Sequence, residues 1–246
     1  MTSLSTYDQR RYNRQMLMPG WGEAGQEKLK HARVFVAGAG GLGSPVAMYL
    51  AAAGVGEIRI CDADRVELSN LNRQILHSDD RVGELKAESA RRTLQSLNPS
   101  LQITPIAEYL NPENAVRIIG DVDIMIDCLD NYETRYLLND YCIQHHIPLV
   151  HGAIWGLIGQ LTFILSPETP CLKCILPAPP PKETFPVVGV TPGVIGCLQA
   201  MEVLKYLTNT GTNLKGRLLF FDGQDMSLDA LVVRRAEACP ACGHLV

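Results

Sequence analysis

The sequence lacks any long apolar run, any internal repeat and any excess of positive charge. No stretch reaches the roughly 18 unbroken apolar residues that a membrane helix needs. The polar start MTSLSTYDQRRYNRQ also lacks the apolar core of a signal peptide. We therefore expect a cytoplasmic protein without a membrane partner. The formal net charge of -4 argues against a nucleic-acid partner, which would need a basic face.

Short β-branched strands alternate with helices over the first 150 residues. The segments VFVA, EIRICDAD, LQITPI and DVDIMIDCLD predict buried strands, and Ser44 to Ala53 and Leu85 to Leu97 predict helices between them. This alternation predicts an α/β, Rossmann-like fold with a mainly parallel sheet and helices on both faces.

The C-terminal half follows a different pattern. The segments IPLVHGAIWGLIGQLTFIL and GRLLFFDGQDMSLDALVVRR predict strands joined by tight turns, so antiparallel strands should extend the sheet there. Between them lies LPAPPPKETFPV, whose prolines exclude a regular helix or a central strand. We predict an exposed crossing loop at this segment, followed by a helix over Thr191 to Leu207.

A glycine-rich turn follows the first predicted strand. Its glycines, Gly38, Gly40, Gly41 and Gly43, match the G-x-G-x-x-G pattern between a strand and a helix. Glycine lets the backbone approach a phosphate closely, and the helix N-terminus offers free N–H groups. Asp62 ends the next predicted strand, at a suitable distance to bind a ribose hydroxyl. The alternative is a glycine turn that only packs the helix on the sheet.

Cationic and acidic residues further along the chain bear on which nucleotide is bound. A triphosphate usually requires Arg, Lys and magnesium, and Arg73 and Lys86 can supply the cations. Asp130 follows the fourth strand, at the sheet edge where ligands bind, and is a candidate magnesium ligand. The alternatives are a surface ion pair for Arg73, a solvated Lys86 and an Asp130 that only caps the next helix.

Four of the eight cysteines form two pairs with metal-ligand spacing, Cys171 with Cys174 and Cys239 with Cys242. Two such pairs can close a four-thiolate structural zinc site that pins the C-terminus to the crossing loop. The alternatives are two unrelated pairs or a redox motif. Cys61, Cys128 and Cys142 lie in apolar segments and are predicted to be buried in the core.

The ordered set of motifs resembles the MoeB/ThiF/HesA adenylyltransferases, relatives of the adenylation domain of ubiquitin-activating enzymes. The motifs are RRYNRQ from residue 10, GAGGLG, D-x-D, SNLNRQ, DCLDNYETR, HGAIWGLIGQ and the two CxxC pairs. The resemblance spans nearly the whole chain. It implies a single domain over 1–246, with an N-terminal helical arm (1–30), a nucleotide-binding half (31–150) and a substrate-side half (151–246) that holds the crossing loop and the zinc site.

The resemblance also implies a reaction and its residues. ATP would react with a carboxylate, usually the C-terminal Gly-Gly end of a small ubiquitin-like sulfur carrier for molybdopterin or thiamine biosynthesis. The residues implied to hold ATP and magnesium are Gly38, Gly40, Gly41, Gly43, Asp62, Asp64, Asn70, Arg73, Gln74, Lys86, Asp130 and Asn131. Arg14 is similar to the family's N-terminal arginine, which reaches the partner's ATP site, so a homodimer with composite sites is implied.

One departure from the family concerns the crossing loop. Many members carry a reactive cysteine just after the first CxxC pair, whereas this loop has none and Phe185 stands about where that residue would be. Cys197 lies in the following apolar helix and is predicted to be a core residue. We therefore predict adenylation without a covalent cysteine step, and the change leaves open a small-molecule or peptide carboxylate as substrate. A nicotinamide-dependent oxidoreductase and a non-catalytic scaffold are the competing interpretations.

Overall fold

The computed structural model describes residues 4–181 and 186–245. The strands are β1 (Arg33–Ala37), β2 (Glu57–Cys61), β3 (Gln102–Ile106), β4 (Ile124–Asp127), β5 (Leu149–Trp155), β6 (Ile158–Ile164), β7 (Arg217–Asp222) and β8 (Ser227–Val232). They form one sheet in the order β3-β2-β1-β4-β5-β6-β7-β8. The five strands from β3 to β5 pair in parallel, and β5 to β8 pair antiparallel. The predicted fold class is confirmed.

Helices cover both faces of this sheet. They are α1 (Thr6–Arg11), α2 (Asn13–Met16), α3 (Gly22–His31), α4 (Gly43–Ala53), α5 (Lys86–Leu97), α6 (Ala115–Ile119), α7 (Tyr132–His145), α8 (Leu172–Ile175) and α9 (Val190–Thr208). The predicted helices at 44–53, 85–97 and 191–207 are confirmed to within a residue at each end. None of the helices in the described part of the chain is long and apolar enough to cross a membrane.

The parallel strands are buried on both sides, and β1 shows why their sequences are continuously apolar. Val34 and Val36 belong to a core that includes α4 and α9, whereas Phe35 and Ala37 belong to a second core that includes α6 and α7. Because successive side chains of a strand point to opposite faces, an apolar residue is needed at every position. The buried positions of Cys61, Cys128 and Cys142 agree with the sequence prediction.

Two hairpins make the antiparallel half. The strands β5 and β6 are joined through Gly156 and Leu157, and Gly156 has a φ of 60°, which favours glycine. The strands β7 and β8 are joined by a turn that begins after Asp222, as the Asp-Gly pair predicts. The division between the two expected halves of the domain, at residue 150, falls inside β5, so one strand belongs to both halves.

Three details differ from the sequence expectations or lie beyond them. The segment EIRICDAD was expected to be a strand throughout, but β2 ends at Cys61, so Asp62 lies in the segment that follows. The sequence pattern did not predict the short helix α6. Phe185, which stands in place of a loop cysteine, lies outside the described residues.

Candidate functional site

The candidate site is a polar cleft at the carboxyl edge of the parallel strands. The segments that follow β2, β3 and β4 meet there because parallel strands all end at the same edge. The cleft encloses about 460 Å³ and is lined by Ala63, Asp64, Arg65, Glu67, Asn70, Arg73, Gln74, Lys86, Tyr109 and Asp130. Six of the predicted nucleotide and metal residues thus come together around one cavity.

The glycine turn lies beside this cleft and leads into α4. Gly38 has a φ of 99°, and a Cβ placed there would come within 2.7 Å of the Cys128 carbonyl oxygen. Only glycine therefore lets the turn pack against the segment after β4. No side chain caps the N-terminus of α4. The Ser44 N–H donates to the Gly40 carbonyl oxygen at 2.9 Å and Pro45 has no N–H, so an anion at this end would be bound mainly by the turn that precedes these residues.

The peptide groups of Ala39 are held from two sides. Its N–H donates to Asp62 Oδ2 at 2.8 Å, and its carbonyl oxygen lies 2.9 Å from His77 Nε2. Burial raises the pKa of Asp62, although Lys86 acts against this shift. Burial lowers the pKa of His77, which favours the neutral imidazole. Asp62 therefore already shapes the glycine turn, besides its predicted contact with ribose.

His77 was not identified by sequence reasoning. Its Nδ1 lies 2.9 Å from Ser89 Oγ on α5, so the imidazole links the glycine turn to the helix that begins with Lys86. A histidine three residues after Gln74 carries no recognisable ligand pattern, and no signal in the sequence separates it from a core histidine.

The two predicted cations occupy different environments. Lys86 is only 7% exposed and its Nζ lies 3.0 Å from Asp64 Oδ2, whose other oxygen accepts from the Tyr109 hydroxyl at 3.3 Å. Arg73 donates to the Ser69 carbonyl at 2.9 Å and to Asn72 Oδ1 at 3.0 Å. It forms no ion pair with a carboxylate of the described residues, so its charge is available to an anionic ligand.

Two buried amides complete the wall of the cleft. Asn70 Oδ1 accepts from the Glu67 N–H at 3.1 Å, which closes the short turn at Leu68–Asn70. Gln74 is 5% exposed, and its Oε1 has no hydrogen-bond partner in the described part of the chain. A buried acceptor without a donor is costly, so a ligand that supplies an N–H or O–H group fits here. A nucleotide has both groups.

Asp130 and the adjacent Asn131 have different surroundings. The Asp130 side chain is exposed in the cleft, and no hydrogen bond or ion pair involves it among residues 4–181 and 186–245. Asn131, not Asp130, caps α7 by accepting from the Thr134 N–H at 2.9 Å. Asn131 lines a neighbouring cavity of about 740 Å³ rather than the cleft itself.

Arg14 lies outside the cleft of its own chain. It is an exposed residue of α2 and is not among the cleft-lining residues. The single chain therefore gives Arg14 no role at its own site.

A buried ionic network lies beneath the turn that carries Asp130. Asp127 is fully buried, with Oδ2 2.6 Å from His151 Nδ1 and 3.6 Å from Arg135 Nε. Burial raises the pKa of Asp127, but Arg135 and the hydrogen bond to His151 lower it more, so the pKa lies below its usual range. The sequence prediction assigned no role to Arg135 or His151.

The four paired cysteines converge in space. Their sulfur atoms all lie within 4.8 Å of one another, with Cys171–Cys239 at 3.6 Å, Cys174–Cys242 at 3.4 Å and Cys171–Cys174 at 3.9 Å. Four thiolates around zinc with Zn–S of about 2.3 Å would be about 3.8 Å apart. None of the cysteines is in a disulfide. The cluster therefore has the geometry and the ligand type of a closed zinc site.

Contacts from α7 hold the first cysteine pair in place. The buried Asn139 Oδ1 accepts from the Leu172 N–H at 2.7 Å, and the Tyr136 hydroxyl donates to the Leu176 carbonyl at 2.9 Å. Lys173 forms an ion pair with Asp140 at 2.9 Å. The start of the crossing loop is thus attached to the helix that follows Asp130.

Comparison with known sequences adds three findings. Residues 12–241 match the ThiF family. The chain is 45% identical over 240 residues to the SAMP-activating enzyme E1 of Haloferax volcanii, covering 95% of this chain and 88% of that protein. It is also 45% identical over 244 residues to the sulfur carrier protein adenylyltransferase of Thermus thermophilus, covering 95% of this chain and 90% of that one.

Comparison with solved structures identifies the same fold. The E. coli MccB structure with MccA-N7isoASN superposes with a TM-score of 0.87 at 25% identity, covering 99% of this chain and 76% of that one. The E. coli MccB structure with ATP superposes with a TM-score of 0.82 at 25% identity, covering 90% of this chain and 70% of that one.

Proposed function

The chain belongs to the ThiF family and is an adenylyltransferase, and we propose that it adenylates the C-terminal Gly-Gly carboxylate of a small ubiquitin-like sulfur-carrier protein. Two relatives at 45% identity, named as a SAMP-activating E1 and a sulfur carrier adenylyltransferase, support this substrate class. We propose a role in a pathway of the molybdopterin or thiamine type. The observation that carries the proposal is the meeting of Arg73, Lys86 and Asp130 at one cleft beside the glycine turn.

In this proposal ATP binds along the glycine turn and the N-terminus of α4. Asp62 binds the ribose, while Arg73 and Lys86 neutralise the phosphates. The buried amide oxygen of Gln74 accepts a hydrogen bond from the nucleotide, which removes its unpaired state. Asp130 is the free carboxylate of the cleft and would hold magnesium, which supplies charge neutralisation for the leaving phosphates when bound.

The reaction needs alignment more than proton transfer. A carboxylate oxygen of the carrier attacks the α-phosphorus, and a new acyl–O–P bond forms. The bond from the α-phosphorus to the bridging oxygen of the β-phosphate breaks, so pyrophosphate leaves with both electrons of that bond. The carboxylate is already ionised at neutral pH, so no general base is required. Lys86 and Arg73 stabilise the charge that develops on the leaving group.

We propose that the four cysteines hold a structural zinc ion. Their spacing leaves no open coordination position, so the metal would fix the C-terminus to the start of the crossing loop rather than take part in chemistry. We further propose a homodimer in which Arg14 of one protomer completes the cleft of its partner. Its exposed position away from its own cleft is consistent with this arrangement.

The crossing loop supports adenylation without a covalent intermediate on the enzyme. Residues 175–189 contain no cysteine, and Cys197 lies within α9, where it is half-buried. Burial raises the pKa of the Cys197 thiol, which disfavours the nucleophilic thiolate. We expect the adenylate to remain non-covalently bound until another protein supplies sulfur.

Exchange of labelled pyrophosphate into ATP tests the proposal. The purified chain should catalyse exchange only when a carrier with an intact Gly-Gly terminus is present. The same carrier lacking the last glycine is the matched control and should give no exchange. Exchange that is equal with both carriers, or absent with every Gly-Gly carrier tested, would contradict the proposed substrate.

A second candidate is a small or peptide carboxylate with the same chemistry. The superposition on MccB, solved with MccA-derived ligands, favours it because MccB covers 99% of this chain at a TM-score of 0.87. The absence of a loop cysteine in the sequence is compatible with such a substrate. Exchange driven by a short peptide but not by a folded carrier would favour this second candidate.

A further inference from the structure

We propose that Arg135 is a positioning residue that fixes where Asp130 presents its carboxylate in the cleft. Arg135 lies on α7 and does not line the cleft itself. It acts through the turn between β4 and α7, which ends in Asp130 and Asn131. This inference rests on the proposed adenylation function, because it explains the placement of a residue of that site.

The turn is held at both peptide groups that flank Leu129. Arg135 Nη2 donates to the Leu129 carbonyl at 2.5 Å, and this carbonyl belongs to the peptide that joins Leu129 to Asp130. Asp127 Oδ1 accepts from the Leu129 N–H at 3.1 Å. Asp127 Oδ2 also lies 3.6 Å from Arg135 Nε. The two members of one ion pair therefore bind the N–H and the carbonyl group of Leu129, the residue before Asp130.

Two further elements support this ion pair. The same Arg135 nitrogen donates to the Gly152 carbonyl of β5 at 3.2 Å, and His151 Nδ1 lies 2.6 Å from Asp127 Oδ2. The network therefore joins β4, β5 and α7 under the turn. Its side chains are 5% exposed at Arg135, 1% at His151 and 0% at Asp127.

Such a network is an expensive way to stabilise a fold. When two charges are buried, the free energy lost with their hydration is about as large as the free energy gained from their attraction. Apolar residues of similar volume therefore often stabilise a core as well or better. Two buried nitrogen atoms of the network, Arg135 Nε and His151 Nε2, also have no hydrogen-bond partner among the described residues. Fixed geometry of the turn explains the arrangement better than stability does.

The residue that benefits is Asp130. No hydrogen bond from the described residues orients its exposed carboxylate, so its position follows from the backbone of the turn. Displacement of a catalytic group by about 1 Å can cost about a hundredfold in rate. A rigid turn therefore supplies the alignment that the side chain lacks.

The test separates positioning from general stability by comparing two buried residues of α7. Arg135→Met removes the clamp on the turn. Asn139→Ala removes a buried hydrogen bond one helical turn further on, to the Leu172 N–H, and does not touch residues 127–131. Both variants should unfold at a lower urea concentration than the wild type, because each loses a buried hydrogen bond.

Only Arg135→Met should change the metal dependence of pyrophosphate exchange. We expect its magnesium concentration for half-maximal exchange to rise about tenfold and its kcat to fall about tenfold to a hundredfold. The KM for ATP at saturating magnesium should change less than about twofold, because Arg73 and Lys86 still hold the phosphates. Arg135→Lys should recover part of kcat, since it keeps a charge beside Asp127. Equal shifts in magnesium dependence for Asn139→Ala and Arg135→Met would overturn the proposal.

A double-mutant cycle with Asp130→Asn distinguishes this inference from the proposed function. If Asp130→Asn retains full exchange, the assigned role of Asp130 fails. Suppose that Asp130→Asn reduces exchange, and that Arg135→Met lowers exchange by the same factor in the Asp130→Asn variant as in the wild type. The proposed function then stands, and the positioning role of Arg135 is wrong. We expect strong non-additivity, with little further loss in the double variant. Should Arg135→Met fail to fold, Asp127→Asn provides the second variant, with a shift in magnesium dependence in the same direction.

Discussion

The cleft and the cysteine cluster are built in opposite ways. The cluster takes its four sulfur ligands from two short segments, each of which presents two cysteines three positions apart. The cleft takes its side chains from the segments after β2, β3 and β4 and from the start of α5. The cluster is a local pattern used twice, whereas the cleft exists only because distant segments meet at one sheet edge.

This difference explains the expected response of each site to substitution. Loss of one cysteine removes a quarter of a closed ligand set, so stability should suffer. Loss of an exposed residue in the cleft removes an interaction with the ligand and little else. Substitutions in the cysteine cluster should therefore lower stability, whereas substitutions of exposed cleft residues should lower activity.

The largest expected effect is on activity alone. Asp130→Ala should lower pyrophosphate exchange about a thousandfold, because the free carboxylate for magnesium is lost from the cleft. The melting temperature should stay unchanged, since the Asp130 side chain is exposed. Asp121→Ala is the matched control, because it removes only an exposed ion pair with Arg33 at the opposite edge of the sheet. Undiminished exchange at saturating magnesium would remove Asp130 from its proposed role.

The next effect is on stability. The chain purified without chelator should contain one zinc ion, and Cys239→Ser should lose it together with several kcal/mol of unfolding free energy. Cys197→Ser, outside the cluster, should keep the metal. Elemental analysis and urea unfolding provide the measurements. A wild-type chain without zinc would refute the assignment of the cysteine cluster as a structural metal site.

A smaller effect is expected from Lys86→Met. Pyrophosphate exchange should fall about a hundredfold, because one phosphate-neutralising charge is removed while Arg73 remains. Lys86 is buried against Asp64, so a modest change in stability should accompany the loss. Lys215→Met is the control, since Lys215 pairs with Glu168 in a partly exposed position. Equal activity of the two variants would indicate that Lys86 serves only the fold.

The smallest effect concerns pH and the glycine turn. The pKa of His77 is lowered in the folded chain by burial, so the unfolded chain takes up a proton first as the pH falls. The stabilising contribution of His77 is thus present above the unfolded pKa of about 6.5 and declines as the pH drops below it. His77→Gln should be less stable than the wild type near neutral pH, with a difference that narrows at lower pH.

Urea unfolding at neutral and mildly acidic pH measures this effect. If the free energies of unfolding of His77→Gln and the wild type differ by the same amount at every pH in this range, protonation of His77 does not affect stability.

The sequence predicted most of the fold because its signals are local. Continuous apolar residues mark the parallel strands, and glycine turns mark the hairpins from β5 to β8. The helix α6 was missed because its few residues carry little periodic pattern. Asp62 was placed within a strand because no local signal marks where pairing ends, which depends on the neighbouring strands.

The sequence by itself determined the chemistry available to this protein. The glycine turn, the cations, the acidic residue after β4 and the paired cysteines are all fixed by residue type and spacing. Only the tertiary structure decided how these residues are supported. Arg135, His151 and Asp127 meet beneath the turn of Asp130, and His77 meets Ala39, because residues far apart in the chain converge at the sheet edge. Spacing along a chain carries no record of such convergence.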